Sequence, residues 1–214
     1  MSVVPPDLSA SDPPPLKGRE VIVAVCGGIA CYKVADVVSR LVQLGAGVSV
    51  VMTAEAQKFV TPLTFQALSG RPVHTSTFDL IESSDPQHIK LTELADLMLV
   101  APATNNIIAK VAAGLCDDLV SLMVAAAACP VVFAPAMNTR MWENQIAQEN
   151  FARLANLGYR FIGPEPGWLA CRNIGIGRLS EPALIASEVV RFLNEPRAAP
   201  LPVTPNLGDD PAPD

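Results

Sequence analysis

The sequence predicts an α/β protein, a doubly wound parallel sheet in a single domain with helices on both faces. Three observations predict it. Short runs of β-branched and apolar residues recur without the alternation of a half-exposed strand, so each reads as a strand buried on both faces. Between them lie segments with apolar residues three and four apart, the spacing of a helix with one buried stripe. Strand and helix then alternate along the chain, and right-handed crossovers turn that alternation into a parallel sheet covered on both sides.

Val21–Val25 (VIVAV) opens the series as a strand that ends in Cys26-Gly27-Gly28. Ala30–Leu44 has helical spacing, and Gly45 after it is a helix stop. Val48–Met52 is the second strand, and residues 55–70 look helical with a break near Thr61-Pro62. Asp96–Ala101 is the third strand, followed by helices at Asn105–Gly114 and Asp117–Ala127. Pro130–Ala134 is the fourth strand, Trp142–Leu157 a helix ended by Gly158, and Tyr159–Ile162 a short fifth strand. Residues 163–180 read as a loop rich in glycine and proline, and Pro182–Leu193 as a closing helix. Five strands in a chain of this size favour the flavodoxin-like, Rossmann-like order 2-1-3-4-5. Ligands in such sheets sit at the carboxyl ends of the strands where the order reverses. That point joins the loop at Cys26–Ala30, the segment Thr53–Phe59 and the loop Ala101–Asn106.

Composition narrows the function. The chain has 214 residues, half of them hydrophobic and 17% charged, with a mean hydropathy of +0.33, ample for one core. A net charge of −6 and a pI near 4.9 argue against a nucleic-acid partner. No apolar run reaches 18 residues, so no membrane span is expected. The first residues lack a secretory pattern, and five cysteines with no CxxC fit a reducing, cytoplasmic setting. Residues 1–18 hold five of the 20 prolines and residues 195–214 hold six. Both segments are expected to be disordered Pro-rich tails flanking a folded domain at 19–194.

The first loop, C-G-G-I-A-C-Y, is not G-x-G-x-x-G, and the second strand ends Val51-Met52-Thr53 with no acid at its tip. A mononucleotide therefore fits better than a dinucleotide. Gly27 and Gly28 permit close backbone approach, and the following helix N-terminus offers donors, although a Gly-Gly pair also serves as a plain tight turn. Thr104, Asn105 and Asn106 supply uncharged donors and acceptors that suit a flavin edge; either Thr104 or Asn105 also suits a helix cap. Three further residues carry chemistry. His88, in a loop or turn before the third strand, is the natural general base. Asn138 follows the fourth strand in Pro135-Ala136-Met137-Asn138-Thr139-Arg140-Met141-Trp142 and can donate to a carboxylate or cap a helix. Cys171 lies in the long 163–180 loop beside Arg172 and near Arg178, which favour a lowered thiol pKa. His74 has no polar constellation around it. No set of residues has metal-ligand spacing.

Taken jointly, these pieces resemble the homo-oligomeric flavin-containing cysteine decarboxylases. The matching segments are Gly27-Gly28-Ile29-Ala30, His88-Ile89, Ala101–Asn106, the Pro-x-Met-Asn-x-x-Met-Trp block at 135–142, and Leu169-Ala170-Cys171 with Gly175-Ile176-Gly177-Arg178. They run in family order across residues 19–194. The resemblance implies FMN as cofactor, held by Gly27, Gly28, Ile29, Thr53, Phe59, Ala103, Thr104, Asn105 and Asn106. It implies a homotrimer or homododecamer with shared active sites. It implies His88 as base, Asn138 as carboxylate binder and Cys171 as acid on a substrate lid, with Met137 and Ala170 also against the substrate. The activity implied is decarboxylation of 4'-phosphopantothenoylcysteine to 4'-phosphopantetheine in coenzyme A biosynthesis. The thiol-bearing carbon is oxidised, CO2 leaves, and the enethiol is reduced again. Two positions depart from the family pattern: Arg172 stands where a glycine is usual, and Asn105 where an alanine is usual. A decarboxylase of peptide C-terminal cysteines and a non-catalytic flavin-binding regulatory subunit are the alternatives. Flavin prenyltransferases generally lack both the 135–142 block and the lid cysteine.

Overall fold

A computed structural model of the chain describes residues 13–76 and 87–195, with backbone alone at 87–90. Its centre is a six-stranded parallel sheet. The strands are β1 (Glu20–Val25), β2 (Gly47–Met52), β3 (Val73–His74), β4 (Leu97–Ala103), β5 (Val131–Pro135) and β6 (Arg160–Phe161), in the order β3-β2-β1-β4-β5-β6. The expected 2-1-3-4-5 core is present as β2-β1-β4-β5-β6. The edge strand β3 is added to it, pairing Val50 with Val73 and Val51 with His74.

Successive side chains of a strand point to opposite faces, so each buried strand feeds two cores. Val21, Val23 and Val25 of β1 face one cluster with Val34, Val38 and Leu41 of α1 (Cys31–Gln43), Phe65 of α2 (Pro62–Ser69) and Ile185 and Val189 of α8 (Pro182–Asn194). Ile22, Ala24 and Cys26 face the other, with Ile107 and Ile108 of α4 (Asn105–Ala113), Val120 and Met123 of α5 (Leu119–Ala125) and Leu154 of α7 (Gln145–Asn156). The continuous β-branched runs are apolar because both faces are covered.

The structure corrects the reading in several places. The folded unit begins before residue 19: Leu16 is fully buried and its N–H donates to Leu44 O at 2.9 Å. The rest of the two expected tails, 1–12 and 196–214, lies outside the described residues. Gln87–Leu94 is a helix, α3, rather than a loop. The third predicted strand runs on to Ala103. The helix expected at 142–157 is two, α6 (Thr139–Trp142) and α7, because Asn144 caps α7 by accepting from Ile146 N at 3.0 Å. The expected loop at 163–180 contains an antiparallel hairpin, β7 (Glu165–Trp168) with β8 (Ile174–Arg178). Strand order reverses on either side of β1, so the loops after β1 and β4 diverge and leave a crevice at the carboxyl edge.

Candidate active site

A cavity of about 830 Å³ occupies that crevice. One wall is the loop after β1. Gly28 N–H donates to Cys26 O at 2.8 Å and Cys31 N–H to Gly28 O at 2.9 Å, which folds the loop tightly onto the start of α1. A side chain at Gly27 would overlap Glu55, so the glycine lets the segment after β2 close in. Thr53 anchors that segment by accepting from Ala56 N at 3.2 Å. Opposite stands the loop after β4. Thr104 caps α4, accepting from Ile107 N at 3.3 Å, and its methyl lies 3.5 Å from where a Gly28 Cβ would be. Beside it the Asn105 Oδ1 is buried with no hydrogen-bond partner.

The third wall comes from β5 and the hairpin. Asn138 is the N-cap of α6: its Oδ1 accepts from Arg140 N at 2.9 Å. With the oxygen engaged, the amide nitrogen is turned outward and donates to Cys171 Sγ at 3.2 Å. Cys171 rides the hairpin turn, where Arg172 N–H donates to Leu169 O at 2.8 Å and Leu169 N–H to Asn173 O at 2.9 Å. Arg172 takes a left-handed φ of 65° there. The hairpin is docked by Met137 N–H donating to Gly177 O at 2.9 Å and Thr139 Oγ1 donating to Ile176 O at 2.8 Å. A Cβ at Gly175 would overlap Thr139 Oγ1, and one at Gly177 would overlap Met137 O, which accounts for the Gly-x-Gly spacing. Arg178 closes the base, reaching Glu165 at 2.8 Å and Glu181 at 2.7 Å.

Electrostatically the cavity separates inert thiols from the exposed one. Burial, with the Asp118 charge and Cys31 nearby, pushes the Cys26 thiol far above its ordinary range, so it stays protonated. Burial likewise raises Cys31, whose Sγ donates to Cys26 O at 2.9 Å. Cys171 is exposed. Burial alone would raise Asp118, another lining residue, but Lys110 at 2.6 Å and the Ser121 N–H at 2.9 Å outweigh it and hold the carboxyl below its ordinary value.

Of the sequence-predicted residues, Gly27, Gly28, Ile29, Thr53, Thr104, Asn105, Asn106, Met137, Asn138, Ala170 and Cys171 all line this one cavity. Ala103 is fully buried behind the loop rather than in the lining. Phe59 is half-exposed after the 3-10 turn Ala56–Lys58, outside the lining. His88 falls in the first turn of α3, and its side chain lies outside the described residues. Sequence reasoning passed over Lys33, Glu55, Asp118 and Trp168, which also line the cavity. For Asp118 a signal existed: Asp three residues before Ser121 at a helix start is a capping pair, which fixes where that carboxylate stands.

Comparison with known proteins agrees with this geometry. The flavoprotein family model matches residues 9–194, and the chain belongs to that family. It is 46% identical over 186 residues to the coenzyme A biosynthesis bifunctional protein CoaBC of Bacillus subtilis (strain 168), covering 87% of this chain and 46% of that one. The CoaBC of Vibrio cholerae serotype O1 is 45% identical over 177 residues, 83% of this chain and 44% of the relative. The chain thus spans about half the length of the curated relatives it matches. Among solved structures, a cysteine-to-serine mutant of PPC decarboxylase complexed with pantothenoylaminoethenethiol superimposes with a TM-score of 0.74 at 30% identity, over 83% of this chain and 99% of that one. The FMN binding protein AtHal3 gives 0.71 at 32%, over 82% and 97%. The FMN-dependent cysteine decarboxylase SpaF gives 0.68 at 30%, over 81% and 98%.

Proposed function

We propose that the chain is an FMN-dependent decarboxylase of 4'-phosphopantothenoylcysteine, forming 4'-phosphopantetheine for coenzyme A synthesis. The observation that carries the reading is the Asn138–Cys171 contact at the rim of a cavity walled by two uncharged, close-approach loops. The cavity suits FMN. Its lining combines apolar surface with Thr104, Asn105 and Asn106, and Asn105 Oδ1 is a buried acceptor without a partner. Gly27, Gly28, Ile29 and Thr53 would hold the group from one side and the loop after β4 from the other. When bound, FMN supplies a reversible two-electron acceptor, which removes the need for a nicotinamide.

The protein's own residues supply position and protons. Asn138 offers its N–H to the substrate carboxylate. A neutral donor orients that group without the ground-state stabilisation that a buried cation would give a departing anion. His88 takes the proton released as the thiol-bearing carbon is oxidised. Carbon dioxide then leaves, and its bonding electrons pass toward sulfur, giving the enethiol. Cys171 returns a proton as the enethiol is reduced, and the docked hairpin holds it over the site. The peptide-cysteine reading is less favoured, because the curated relatives at 45–46% identity are named for coenzyme A biosynthesis.

Assembly belongs to the same proposal. Ile29, Tyr32, Phe59 and Leu63 project 50–70% exposed from the β1 loop, α1 and the segment into α2. A homotrimer, or a dodecamer built from trimers, would cover them and bring Phe59 to a neighbour's site. Its setting would be the cytoplasm, where free cysteines persist. The test is to load the protein with FMN, offer 4'-phosphopantothenoylcysteine and measure CO2 and 4'-phosphopantetheine. In the Cys171→Ser variant, CO2 release should continue while the enethiol accumulates. A flavin-loaded protein that releases no CO2 refutes the reading.

A further inference from the structure

We propose that Asp118 sets the redox balance of the site: its carboxylate keeps a net negative charge against the cavity and holds the potential of bound FMN low. This deepens the functional reading above and rests on FMN occupying that cavity. The starting observation is an unequal charge count. Lys110 Nζ meets Asp118 Oδ2 at 2.6 Å and Asp117 Oδ1 at 2.7 Å, so one ammonium serves two carboxylates. Among the described residues no other cation pairs with either acid, and the trio is left net negative. Of the three, Asp118 alone lines the cavity.

The second observation is that this charge is fixed in place and felt at the flavin loops. Asp118 Oδ1 accepts from Ser121 N at 2.9 Å as the cap of α5, so both oxygens are held. Burial pushes the carboxyl up, but Lys110 and the Ser121 N–H pull it further down, and it stays charged at neutral pH. Burial first, and the Asp118 charge next, raise the thiol of Cys26, which directly precedes Gly27 and Gly28. Lys110 lies in the last turn of α4, the helix that begins at Asn105. Asp118 is thus tied to both loops that would enclose the cofactor.

The third observation is that the other lining charges are answered elsewhere. Lys33 meets Glu181 at 3.6 Å, and Arg178 meets Glu165 at 2.8 Å and Glu181 at 2.7 Å, so both cations have carboxylates of their own. Glu55 is exposed, where water and salt screen it. The Asp118 side chain is only 25% exposed, and its field is screened less. Reduction adds negative charge to a flavin, and a nearby anion opposes that. The decarboxylation proposed above draws two electrons from the thiol-bearing carbon and returns them to the enethiol. A potential held low favours the return.

The experiment uses the FMN-loaded full chain and the variants Asp118→Asn, Asp117→Asn, Lys110→Met and Ser121→Ala. The midpoint potential is measured by dye equilibration above the ordinary carboxylate range, and FMN affinity is measured for the oxidised and reduced flavin. Asp118→Asn should favour reduced over oxidised FMN about tenfold, a rise of about 30 mV for a two-electron couple. Asp117→Asn should move the potential the same way by less, because it frees Lys110 for Asp118. Lys110→Met should move it the opposite way. Ser121→Ala weakens the cap but keeps the charge, so it should leave the potential at the wild-type value. An unmoved potential in Asp118→Asn, a shift of the same sign in Lys110→Met, or an equal shift in Ser121→Ala overturns the proposal. Should Asp118→Asn fail to fold, the opposite signs of Asp117→Asn and Lys110→Met decide it, and a lack of opposition overturns it. A wild-type protein that binds FMN and releases no CO2 refutes the functional reading alone, since the potentials still decide the role of Asp118. One that takes up no FMN overturns both.

Discussion

Gly177→Ala is the sharpest single test of how the hairpin serves the site. Gly177 sits at φ 133°, and a Cβ built there would overlap the carbonyl oxygen of Met137. Backbone blocks it, so no side-chain rotation relieves the overlap. The strand must withdraw by roughly 1 Å to regain van der Waals distance. That movement pulls Gly177 O from Met137 N, now at 2.9 Å, and the adjacent Ile176 O from Thr139 Oγ1, now at 2.8 Å. Two hydrogen bonds at about 1 kcal/mol each, with roughly 1–2 kcal/mol for alanine at this φ, total about 3–4 kcal/mol against the docked hairpin. At about 1.4 kcal/mol per tenfold, docking weakens by two to three orders of magnitude. Asn138 and Cys171 then lose their 3.2 Å contact. Rapid-quench analysis should show enethiol accumulating because reduction slows more than CO2 release. Limited proteolysis should cut between residues 163 and 178. Gly175→Ala should be milder, because it meets the rotatable Thr139 hydroxyl, and Thr139→Ala should partly rescue it. Wild-type turnover with an equally protected hairpin in Gly177→Ala would refute the reasoning.

Three further outcomes follow from the same geometry. His88→Asn should bind FMN with an unchanged flavin spectrum and release CO2 at least a hundredfold more slowly, as expected for removal of a general base; full activity removes His88 from the mechanism. Asn138→Asp keeps the α6 cap acceptor but sets a second anion against the substrate carboxylate, so kcat/KM should drop about a hundredfold with little change in melting temperature; an equal drop in Asn138→Leu with a large melting loss would assign Asn138 to the cap alone. Asp118, held below its ordinary value by Lys110 against the upward push of burial, binds its proton less readily folded than unfolded. Its stabilisation is therefore present above the ordinary carboxylate range and lost as pH falls through the depressed value. Asp118→Asn should flatten the acid limb of a melting-temperature curve, and an unchanged limb would show that the pair is neutral in stability.

Most of the sheet was legible in the sequence because strands buried on both faces write themselves as unbroken runs such as Val21–Val25. The edge strand Val73–His74 left no such mark: two residues cannot show a period. The hairpin was hidden for a different reason. Glu165–Trp168 and Ile174–Arg178 contain proline and glycines that disfavour strands locally, and the need for those glycines is tertiary. Gly175 and Gly177 face Thr139 and Met137, and Gly167 lies against the Arg178 guanidinium. Nothing within the hairpin sequence announces that Gly175 and Gly177 have neighbours as far back in the chain as Thr139 and Met137. The opposite holds for the loops after β1, β4 and β5, where glycine, threonine and asparagine stand at strand ends. The sheet topology then brings those ends together without further information.

At Asn138 and Thr104 the sequence leaves capping and ligand binding as rival explanations, and in the structure both side chains cap helices at the cavity. At Asn138 the two are compatible. An asparagine amide has an acceptor end and a donor end. Because the cap consumes Oδ1 on Arg140 N–H, the nitrogen must face the other way, toward Cys171 and the cavity. Rotating the amide would set its NH2 against the Arg140 N–H, donor facing donor, and free no better acceptor. The helix start thus fixes which end of the amide faces the cavity. An aspartate would cap as well and offer only acceptors; a serine would cap without reaching across. If Asn138 binds the substrate carboxylate as proposed, the local requirement of α6 and the chemistry of that carboxylate select the same residue, and the cap pre-organises the donor rather than competing with it.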